Sequence, residues 1–600
     1  MKCMFLFGFG FLLLSVFSAS KSKLLYKPYD PLVQLNSSNF HSTILGKSNA
    51  WIVEFYSSWC PHCQIFAPTW REFSRQIRTW KNIVKVAVVD CTEPDNVAIC
   101  RQYEVDRYPT IKLFWRHVNE TDFGEKLGGE RDILSMENSL IDFLESHWDA
   151  EVPKDWPDLR PVSTKSLAEL TNSMPANRQS MLLFVEQPDL YTGRKVILDL
   201  SVQREILMKR LLTTNQRLMK DLNLKVAEDT VPAVIRLYRN SFQLPLLKFH
   251  LNESSFDIRD KVFNSIIGTP RNKTKVEGFF YENITATSRS STEGVYMTDL
   301  ENAIFNLLNQ EMAVSKTIEG ERLSAMKSFL YVLKTYFPGS PPVMAYLAKL
   351  YDWVMQKSQS ISGEEFADTL KELQGENQYL PKMREFLACK GSEPRFRGYP
   401  CSLWTLFHTL TVQAYSDVEN KKSSKDNTGK VLFGIRDYVK NFFSCQACAA
   451  HFTRMAANVE NEVNTTRDAV LWLWQAHNKV NLRLSGDDTE DPEHPKIQFP
   501  SAKACSECQS KDETSGDIVW NHDLVLKYLQ RFYGSESIVK APLPFPHEKS
   551  GSYKNSAMGS NVFSPLIQLF LCYCFTTSIS FWMYFGQDGD IAFKSLQYMI

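Results

Sequence analysis

Residues 51–63 read WIVEFYSSWCPHC, an apolar run that leads into two cysteines separated by two residues. The apolar run predicts a buried strand, and residues 64–80 predict a helix directly after the second cysteine. Further outward, apolar patterns predict two more strands and a closing amphipathic helix, at residues 84–90, 109–115 and 133–148 respectively. Cys60 is therefore expected at the N-terminal end of a helix.

This order of elements around a CxxC pair resembles the thioredoxin fold, so residues 30–150 are interpreted as a redox-active thioredoxin domain. Because the helix dipole stabilises a thiolate, Cys60 is expected to be the exposed sulfur that exchanges with substrates, and Cys63 to resolve the mixed disulfide. The resemblance implies a cis bond at Tyr108-Pro109 and a buried acid, Glu54, that helps to move protons. A structural disulfide is disfavoured, because this spacing at a strand-to-helix turn is strained and exposed.

A second thioredoxin-like domain is predicted over residues 160–290, without a CxxC pair. Strands are expected at residues 180–185, 195–200 and 233–238, and a helix at residues 203–222. Pro232 lies where a second cis-proline would be found. Without two cysteines this domain cannot carry out dithiol chemistry, so it is interpreted as a scaffold or docking surface. Residues 296–387 have helical periodicity and predict a helical spacer.

Three later segments share an unusual combination of aromatic and polar residues: RFRGYPCSLWTLFH at 395–408, CQACAAHF at 445–452 and LWLWQAHNKVN at 471–481. Helical spacing brings Trp404 and His408 to one face of the first segment, and Trp474, His477, Asn478 and Asn481 to one face of the last. Such a face suits a flat cofactor that accepts hydrogen bonds. Core packing would explain the tryptophans alone, but the histidines and asparagines would need buried partners.

These segments resemble the Erv/ALR sulfhydryl oxidases and, joined to a thioredoxin domain, the quiescin sulfhydryl oxidase family, over about residues 31–545. The resemblance implies an FAD-binding four-helix bundle with a fifth short helix at 389–545. It places FAD contacts at Arg397, Trp404, His408, His451, Trp474, His477, Asn478, Val480, Asn481 and Lys496. It also implies that Cys448 stands against the isoalloxazine and that Cys445 exchanges with the thioredoxin pair. No GxGxxG motif indicates a Rossmann flavin site.

Two positions depart from the pattern of the family. Ala447 stands where relatives may have an acidic residue, and Phe499 stands where they often have tryptophan. Both changes are expected to affect FAD affinity or rate without touching the sulfur relay.

The chain has 13 cysteines, of which ten lie between the two apolar end segments. Cys91 and Cys100, nine residues apart, are interpreted as a structural disulfide, and the resemblance implies the same for Cys389/Cys401 and Cys505/Cys508. A four-sulfur zinc site made by the last pair with Cys445/Cys448 is the alternative. No metal is expected, because secretory thiols tend to oxidise.

Both ends of the chain indicate passage through a membrane. Residues 1–20 have the basic start, apolar core and small residues of a signal peptide, and residues 562–585 are apolar enough to span a bilayer. Glycosylation is predicted at the six sequons, Asn36, Asn119, Asn252, Asn272, Asn283 and Asn464. The expected location is the secretory pathway, as a single-pass Golgi or cell-surface protein or one secreted after cleavage.

The predicted fold class is multidomain α/β plus α, with two thioredoxin-like domains, a helical spacer and the FAD-binding bundle. The predicted activity is that of a thiol oxidase that joins the thiols of reduced or unfolded secretory proteins. Electrons would pass through Cys60/Cys63 and Cys445/Cys448 to FAD and then to molecular oxygen, giving hydrogen peroxide. Balanced charge, with 68 basic and 68 acidic residues, gives no reason to expect nucleic acid. A flavin-free protein disulfide isomerase and a non-enzymatic adhesion protein are the alternatives.

Overall fold

The computed structural model describes residues 25–203, 206–224, 233–239, 242–248, 255–267, 294–377, 379–380, 384–420, 429–512 and 516–540. The predicted signal peptide, the predicted span 562–585, Pro232 and the sequons at Asn252, Asn272 and Asn283 lie outside these residues. Within the described ranges, no helix is long and apolar enough to cross a membrane.

The N-terminal domain has a central sheet of strand order β1-β3-β2-β4-β5, in which β1, β3 and β2 are parallel and β4 and β5 are antiparallel. Its elements are β1 (Val33–Leu35), α1 (Phe40–Ile44), β2 (Ala50–Tyr56), α2 (Pro61–Gln76), β3 (Val84–Asp90), α3 (Val97–Gln102), β4 (Thr110–Phe114), β5 (Glu125–Lys126) and α4 (Ile133–Ser146).

The sequence of β2 explains where the cysteine pair lies. Every residue of β2 is buried, as expected of a central strand covered on both faces. The strand ends at Tyr56, and α2 begins at Pro61, whose fixed φ suits the first position of a helix. The thioredoxin elements and the cis bond at Tyr108-Pro109 are confirmed.

The second domain has the strand order β7-β6-β8-β9. Its elements are α5 (Leu167–Asn172), β6 (Ser180–Glu186), α6 (Thr192–Asp199), β7 (Leu207–Leu212), α7 (Gln216–Asp221), β8 (Ala233–Tyr238), β9 (Phe242–Lys248) and α8 (Ser255–Ile267). The strands predicted at 180–185 and 233–238 are confirmed.

Two predictions for this domain are wrong. Residues 195–200 lie mostly in α6 rather than in a strand. The apolar run 196–198 is too short to show a helical period, and the polar residues Lys195 and Asp199 beside it are buried in the helix. The predicted helix 203–222 contains β7 before α7. Two adjacent charged residues, Lys209 and Arg210, interrupt the apolar pattern of β7, so the sequence did not indicate a strand. In the structure both residues form ion pairs with nearby acidic residues.

The two thioredoxin-like domains are joined by polar contacts. Trp80 donates through Nε1 to Asp199 at 2.8 Å, and Lys195 Nζ lies 2.8 Å from Glu137. The connecting segment 151–164, whose prolines suggest a hinge, is packed into this interface: the ring of buried Trp156 lies 5.8 Å from that of Trp115. These contacts tie the second domain to the first.

The spacer is helical, as predicted, and it continues into the C-terminal domain through a shared core. It comprises α9 (Met297–Asn306), a π-helical turn (Leu307–Met312), β10 (Thr317–Glu319), α10 (Gly320–Tyr336), α11 (Pro341–Met355), β11 (Ser360–Ser362) and α12 (Gly363–Gln374). Phe329 of α10 stacks on Tyr438 of the next domain at 4.7 Å.

The C-terminal domain is a helical bundle. It contains α13 (Gly398–Glu419), α14 (Lys430–Phe442), α15 (Gln446–Met455), α16 (Val459–Glu462), α17 (Thr466–Leu484), the hairpin of β12 (Gln509–Lys511) and β13 (Ile518–Trp520), and α18 (His522–Tyr533). A capping box between Thr465 and Asp468 fixes the start of α17. The predicted fold class, thioredoxin-like domains joined to a helical bundle, is confirmed.

Arg210→Ala is expected to lower the free energy of unfolding by about 3–5 kcal/mol, because it leaves a buried carboxylate without its cation. Glu186 is fully buried, and its carboxylate accepts from Arg210 Nε at 2.6 Å and from Gly193 N at 2.7 Å. Urea unfolding followed by circular dichroism measures the change. Arg160→Ala is the control, since Arg160 pairs with Asp158 at the surface and should change the free energy by less than about 1 kcal/mol. Equal losses in both variants would contradict this assignment.

Candidate active site

The cysteine pair of the thioredoxin domain lies at the start of α2. Cys60 is the N-cap residue of this helix, and Cys60 and Cys63 are both free thiols without solvent exposure. Ser57 N donates to Cys63 Sγ at 3.4 Å. Burial raises the pKa of Cys63 well above its ordinary value, so this sulfur is held as a thiol until a base takes its proton.

The predicted exposure of Cys60 is wrong for this structure, because the helical bundle covers it. Trp59 stacks on Phe443 with ring centroids 5.3 Å apart and meets Tyr399 edge-on at 5.2 Å. Gln64 donates through Nε2 to the carbonyl oxygen of Arg395 at 2.8 Å. The thioredoxin site is therefore docked against the bundle.

Main-chain contacts fix this docking at the cis-proline loop. Tyr108 N donates to the carbonyl oxygen of Ser444 at 2.8 Å, in a parallel bridge between Tyr108 and Cys445. Arg107 donates to the carbonyl oxygens of Phe443 and Lys440, at 2.6 and 2.8 Å. The loop before Pro109 thus holds the chain that leads into the second cysteine pair.

Cys445 and Cys448 form a disulfide at the start of α15, with Cys445 as the N-cap residue. A ring nitrogen of His62 and the two sulfurs all lie within 4.8 Å of one another, so the two CxxC pairs are neighbours. These three atoms have the spacing of metal ligands, but the disulfide leaves neither cysteine with a thiolate to bind an ion. Three further disulfides join Cys91 to Cys100, Cys389 to Cys401 and Cys505 to Cys508.

A cavity of about 610 Å³ opens beside this disulfide and is lined by Cys448. The predicted FAD contacts that line it are Arg397, Trp404, His451, His477, Val480, Asn481 and Lys496. Trp404 and His477 stack face to face in the cavity wall, since their ring centroids are 4.2 Å apart and their planes are within 4° of parallel.

The other three predicted FAD contacts lie behind the cavity wall. His408 Nε2 is 3.1 Å from His477 Nδ1, so it supports the lining histidine. Trp474 and Asn478 both donate to the carbonyl oxygen of Phe499, at 2.5 and 2.8 Å. Phe499 itself lines the cavity. These side chains therefore hold the wall in place.

Sequence reasoning missed the lining residues that come from outside the three motifs. They include Trp59, Pro61 and Gln64 of the thioredoxin domain and Tyr528, Phe532 and Tyr533 of α18. The aromatic residues of α18 repeat at helical spacing, a signal that could have found them. The thioredoxin residues carry no such signal, because their place in the wall depends on docking.

The cavity is electrostatically suited to a polar ligand. Burial lowers the pKa of His477 to about 3 and that of His408 well below its ordinary value, so both imidazoles are neutral at pH 7. In the described part of the chain, the buried atoms Arg397 Nε and His408 Nδ1 have no hydrogen-bond partner. Unpaired buried donors and acceptors of this kind are costly unless a ligand meets them.

Glu54 lies under the thioredoxin pair, as expected of the buried acid. It is fully buried in β2 and accepts a hydrogen bond from the hydroxyl of Tyr26. Burial raises its pKa to about 8, and its charge contributes to the raised pKa of Cys63. A carboxyl group with such a pKa can take a proton from a thiol near neutral pH.

Comparisons with known proteins agree with this arrangement. The Erv1/Alr family matches residues 401–500, the FAD-dependent sulfhydryl oxidase family matches 291–392, and the thioredoxin family matches 31–138. Sulfhydryl oxidase 1 of Cavia porcellus is 35% identical over 89% of this chain and 85% of its own length. Sulfhydryl oxidase 2 of Homo sapiens is 32% identical over 85% and 73%. The solved sulfhydryl oxidase fragment of human QSOX1 is 39% identical over 41% of this chain and 98% of the fragment, with a TM-score of 0.38.

Glu54→Gln is expected to change how stability depends on pH. A carboxyl group whose pKa rises on folding, here from 4.5 to about 8, favours the folded state fully below pH 4.5, and this contribution is lost as the pH rises through 8. Between pH 4.5 and about 8, the free energy of unfolding of the parent should therefore fall by about 3–5 kcal/mol more than that of Glu54→Gln.

Urea unfolding at a series of pH values measures the difference. Glu72→Gln, at a half-buried position of α2, is the matched control and should follow the parent curve. A Glu54→Gln curve that runs parallel to the parent would rule out a buried titrating carboxyl group.

Proposed function

The chain belongs to the FAD-dependent sulfhydryl oxidase family, and we propose that its two CxxC pairs, Cys60/Cys63 and Cys445/Cys448, act in series. It is a flavin-dependent thiol oxidase that introduces disulfide bonds, with thioredoxin and Erv/ALR domains in one chain. The observation that carries the serial relay is the docking of the two pairs, with Tyr108 N bonded to the carbonyl oxygen of Ser444.

The residues around the cavity fit FAD. The aromatic stack of Trp404 and His477 suits a ring system, and the unpaired atom Arg397 Nε suits its polar edge. A volume of about 610 Å³ lies within the range of cofactor sites, and Lys496 adds a cation. When bound, FAD accepts an electron pair from a dithiol and passes it to molecular oxygen, giving hydrogen peroxide. The ten residues predicted from the sequence would hold it, seven by lining the cavity and three from behind it.

The first exchange oxidises the client. A client thiolate attacks Cys60 of the oxidised pair, and Cys63 leaves as the thiolate. The second client thiol then attacks the client sulfur of this mixed disulfide and releases Cys60. The client gains a disulfide, and the thioredoxin pair holds two electrons and the protons. Reduced or unfolded protein thiols are the substrates that this step accepts.

The second exchange passes the electrons to the bundle. Cys60 attacks Cys445, and Cys448 leaves as a thiolate that faces the cavity. Cys63, after loss of its proton to Glu54, attacks Cys60 and releases Cys445. The Cys60–Cys63 disulfide is restored, and Cys445 and Cys448 are both reduced. The buried position of Glu54 supports its role as the proton acceptor.

The rest of the chain supports the relay. We propose that the second thioredoxin-like domain is a scaffold, that the three remaining disulfides are structural, and that the enzyme works in the secretory pathway. The N-terminal pattern at residues 1–20 supports export. Asn36, Asn119 and Asn464 are exposed, as glycan acceptors need to be. The span at 562–585 stays a prediction from the sequence.

A flavin-free disulfide isomerase is the second candidate function. The Cys60/Cys63 site alone would support it. The cavity beside Cys448 and the docking of the second pair argue against it, because an isomerase requires neither. An adhesion protein would require no redox cysteines.

Trp404→Ala is expected to lose FAD, because it removes one ring of the aromatic stack that lines the cavity. After gentle purification, the ratio of flavin absorbance to protein should fall at least about tenfold, as expected when a buried aromatic contact is lost. Trp472→Ala is the control: Trp472 lies on the neighbouring α17, donates through Nε1 to Glu462 and does not line the cavity. Equal retention of flavin in both variants would show that Trp404 does not contact it.

Oxygen uptake tests the serial relay. Cys60→Ser should lose uptake with a reduced unfolded protein and retain it with dithiothreitol, which is small enough to reach Cys445 when the thioredoxin domain is undocked. Cys445→Ser should lose both activities. Cys505→Ser/Cys508→Ser, which removes a disulfide that takes no part in the proposed relay, should keep both. The relay is refuted if Cys60→Ser oxidises the unfolded protein as fast as the parent.

A further inference from the structure

Glu311 is a buried carboxyl group of the spacer that the relay described above does not use. It lies in the π-helical turn Leu307–Met312 and is 3% exposed. Its carboxylate lies where the spacer, the thioredoxin domain and the bundle meet. We propose that Glu311 is a positioning residue for the second exchange, holding Ser444 so that Cys445 faces the thioredoxin pair. This inference rests on the proposed relay and deepens it.

Both carboxylate oxygens of Glu311 are engaged by one residue. Ser444 N donates to Oε2 at 2.7 Å, and Ser444 Oγ donates to Oε1 at 2.8 Å. Two hydrogen bonds to one carboxylate fix both the backbone and the side chain of the serine, and hydrogen bonds to a charged acceptor are strong. Ser444 directly precedes Cys445, so a rotation of its backbone would move the sulfur.

The opposite side of Ser444 faces the thioredoxin domain. Its carbonyl oxygen accepts the hydrogen bond from Tyr108 N, at 2.8 Å. The peptide groups of Ser444 are therefore bonded on one side by the spacer and on the other by the cis-proline loop. Glu311 thus determines the position of the Ser444 carbonyl oxygen to which the docking thioredoxin domain binds.

The spacer can hold Ser444 in place relative to the thioredoxin domain, because it also forms hydrogen bonds and an ion pair with that domain. Gln310 donates through Nε2 to the carbonyl oxygen of Thr92 at 2.9 Å, and Arg101 donates through Nε to that of Ala313 at 2.6 Å. Arg322 lies 2.6 Å from Asp106 in an ion pair. One short segment thus contacts both partners of the exchange.

The surroundings of Glu311 indicate that this residue orients Ser444 and does not merely fill space in the core. Burial raises its pKa to about 7, so an ionised carboxylate is costly here. The charged and titratable groups around it are Arg107, Tyr108, Tyr399 and Tyr438. An apolar side chain would fill this position at a lower electrostatic cost. What only the carboxyl group provides is the pair of acceptors for Ser444.

A trapped intermediate tests this role. In a Cys63→Ser/Cys448→Ser background of the FAD-loaded full chain, Cys60 and Cys445 are the sulfurs left to join, and oxidised glutathione supplies the oxidant. The rate of Cys60–Cys445 disulfide formation, read by non-reducing gel and mass spectrometry, is expected to fall about tenfold on adding Glu311→Ala, as for loss of charge-assisted hydrogen bonds.

Rescue by a conservative variant separates positioning from general stability. Glu311→Gln can accept from Ser444 N through its amide oxygen and donate to Ser444 Oγ, so the rate should stay within about threefold of the background. Ser444→Ala, which removes one of the two bonds, should give an intermediate rate and keeps the test usable if Glu311→Ala folds poorly. Glu301→Ala is the control, since Glu301 is a buried acid of α9 that pairs with Arg384.

Formation of the disulfide at the background rate in Glu311→Ala and Ser444→Ala overturns the inference, as does an equal loss in Glu301→Ala. Failure of the relay itself looks different: the background chain with Glu311 intact would then form no Cys60–Cys445 disulfide.

Discussion

The structure depends on one hydrogen bond between main chains, from Tyr108 N to the carbonyl oxygen of Ser444. Disulfide exchange needs three sulfurs nearly in line, so the two domains must dock in a defined position. The backbone bridge helps to set this position, because it joins the residue before the cis-proline to the residue before Cys445. The stacking of Trp59 on Phe443 and the contacts of Arg107 with two carbonyl oxygens reinforce the same geometry.

Local patterns in the sequence were sufficient for the thioredoxin domain. The strand at 51–56, the cysteine pair and the cis-proline each depend on neighbours within a few residues, and the structure has them where they were expected. The bundle motifs likewise brought Trp404 and His477 together at one cavity. Patterns failed for α6, because its apolar run of three residues is too short to show a helical period.

Contacts between distant segments were beyond any sequence pattern. Gln64 bonds to a carbonyl oxygen 331 residues away, and Ser444 bonds to an acid 133 residues away. Nothing in the neighbourhood of Glu311 distinguishes it from other acids of an amphipathic helix. Its place becomes visible only when the spacer, the thioredoxin domain and the bundle are assembled. The prediction that Cys60 is exposed is wrong for the same reason, because the residues of the bundle that cover it are distant in the sequence.

The burial of Cys60 beneath the bundle limits the order of events in turnover. In the proposed relay, a client cannot reach Cys60 while the bundle covers it, so loading and unloading of the thioredoxin pair exclude each other in time. Each docking of the bundle would therefore carry away a single electron pair. While docked, the reactive sulfur is also shielded from small thiols in its surroundings, which limits futile exchange with them.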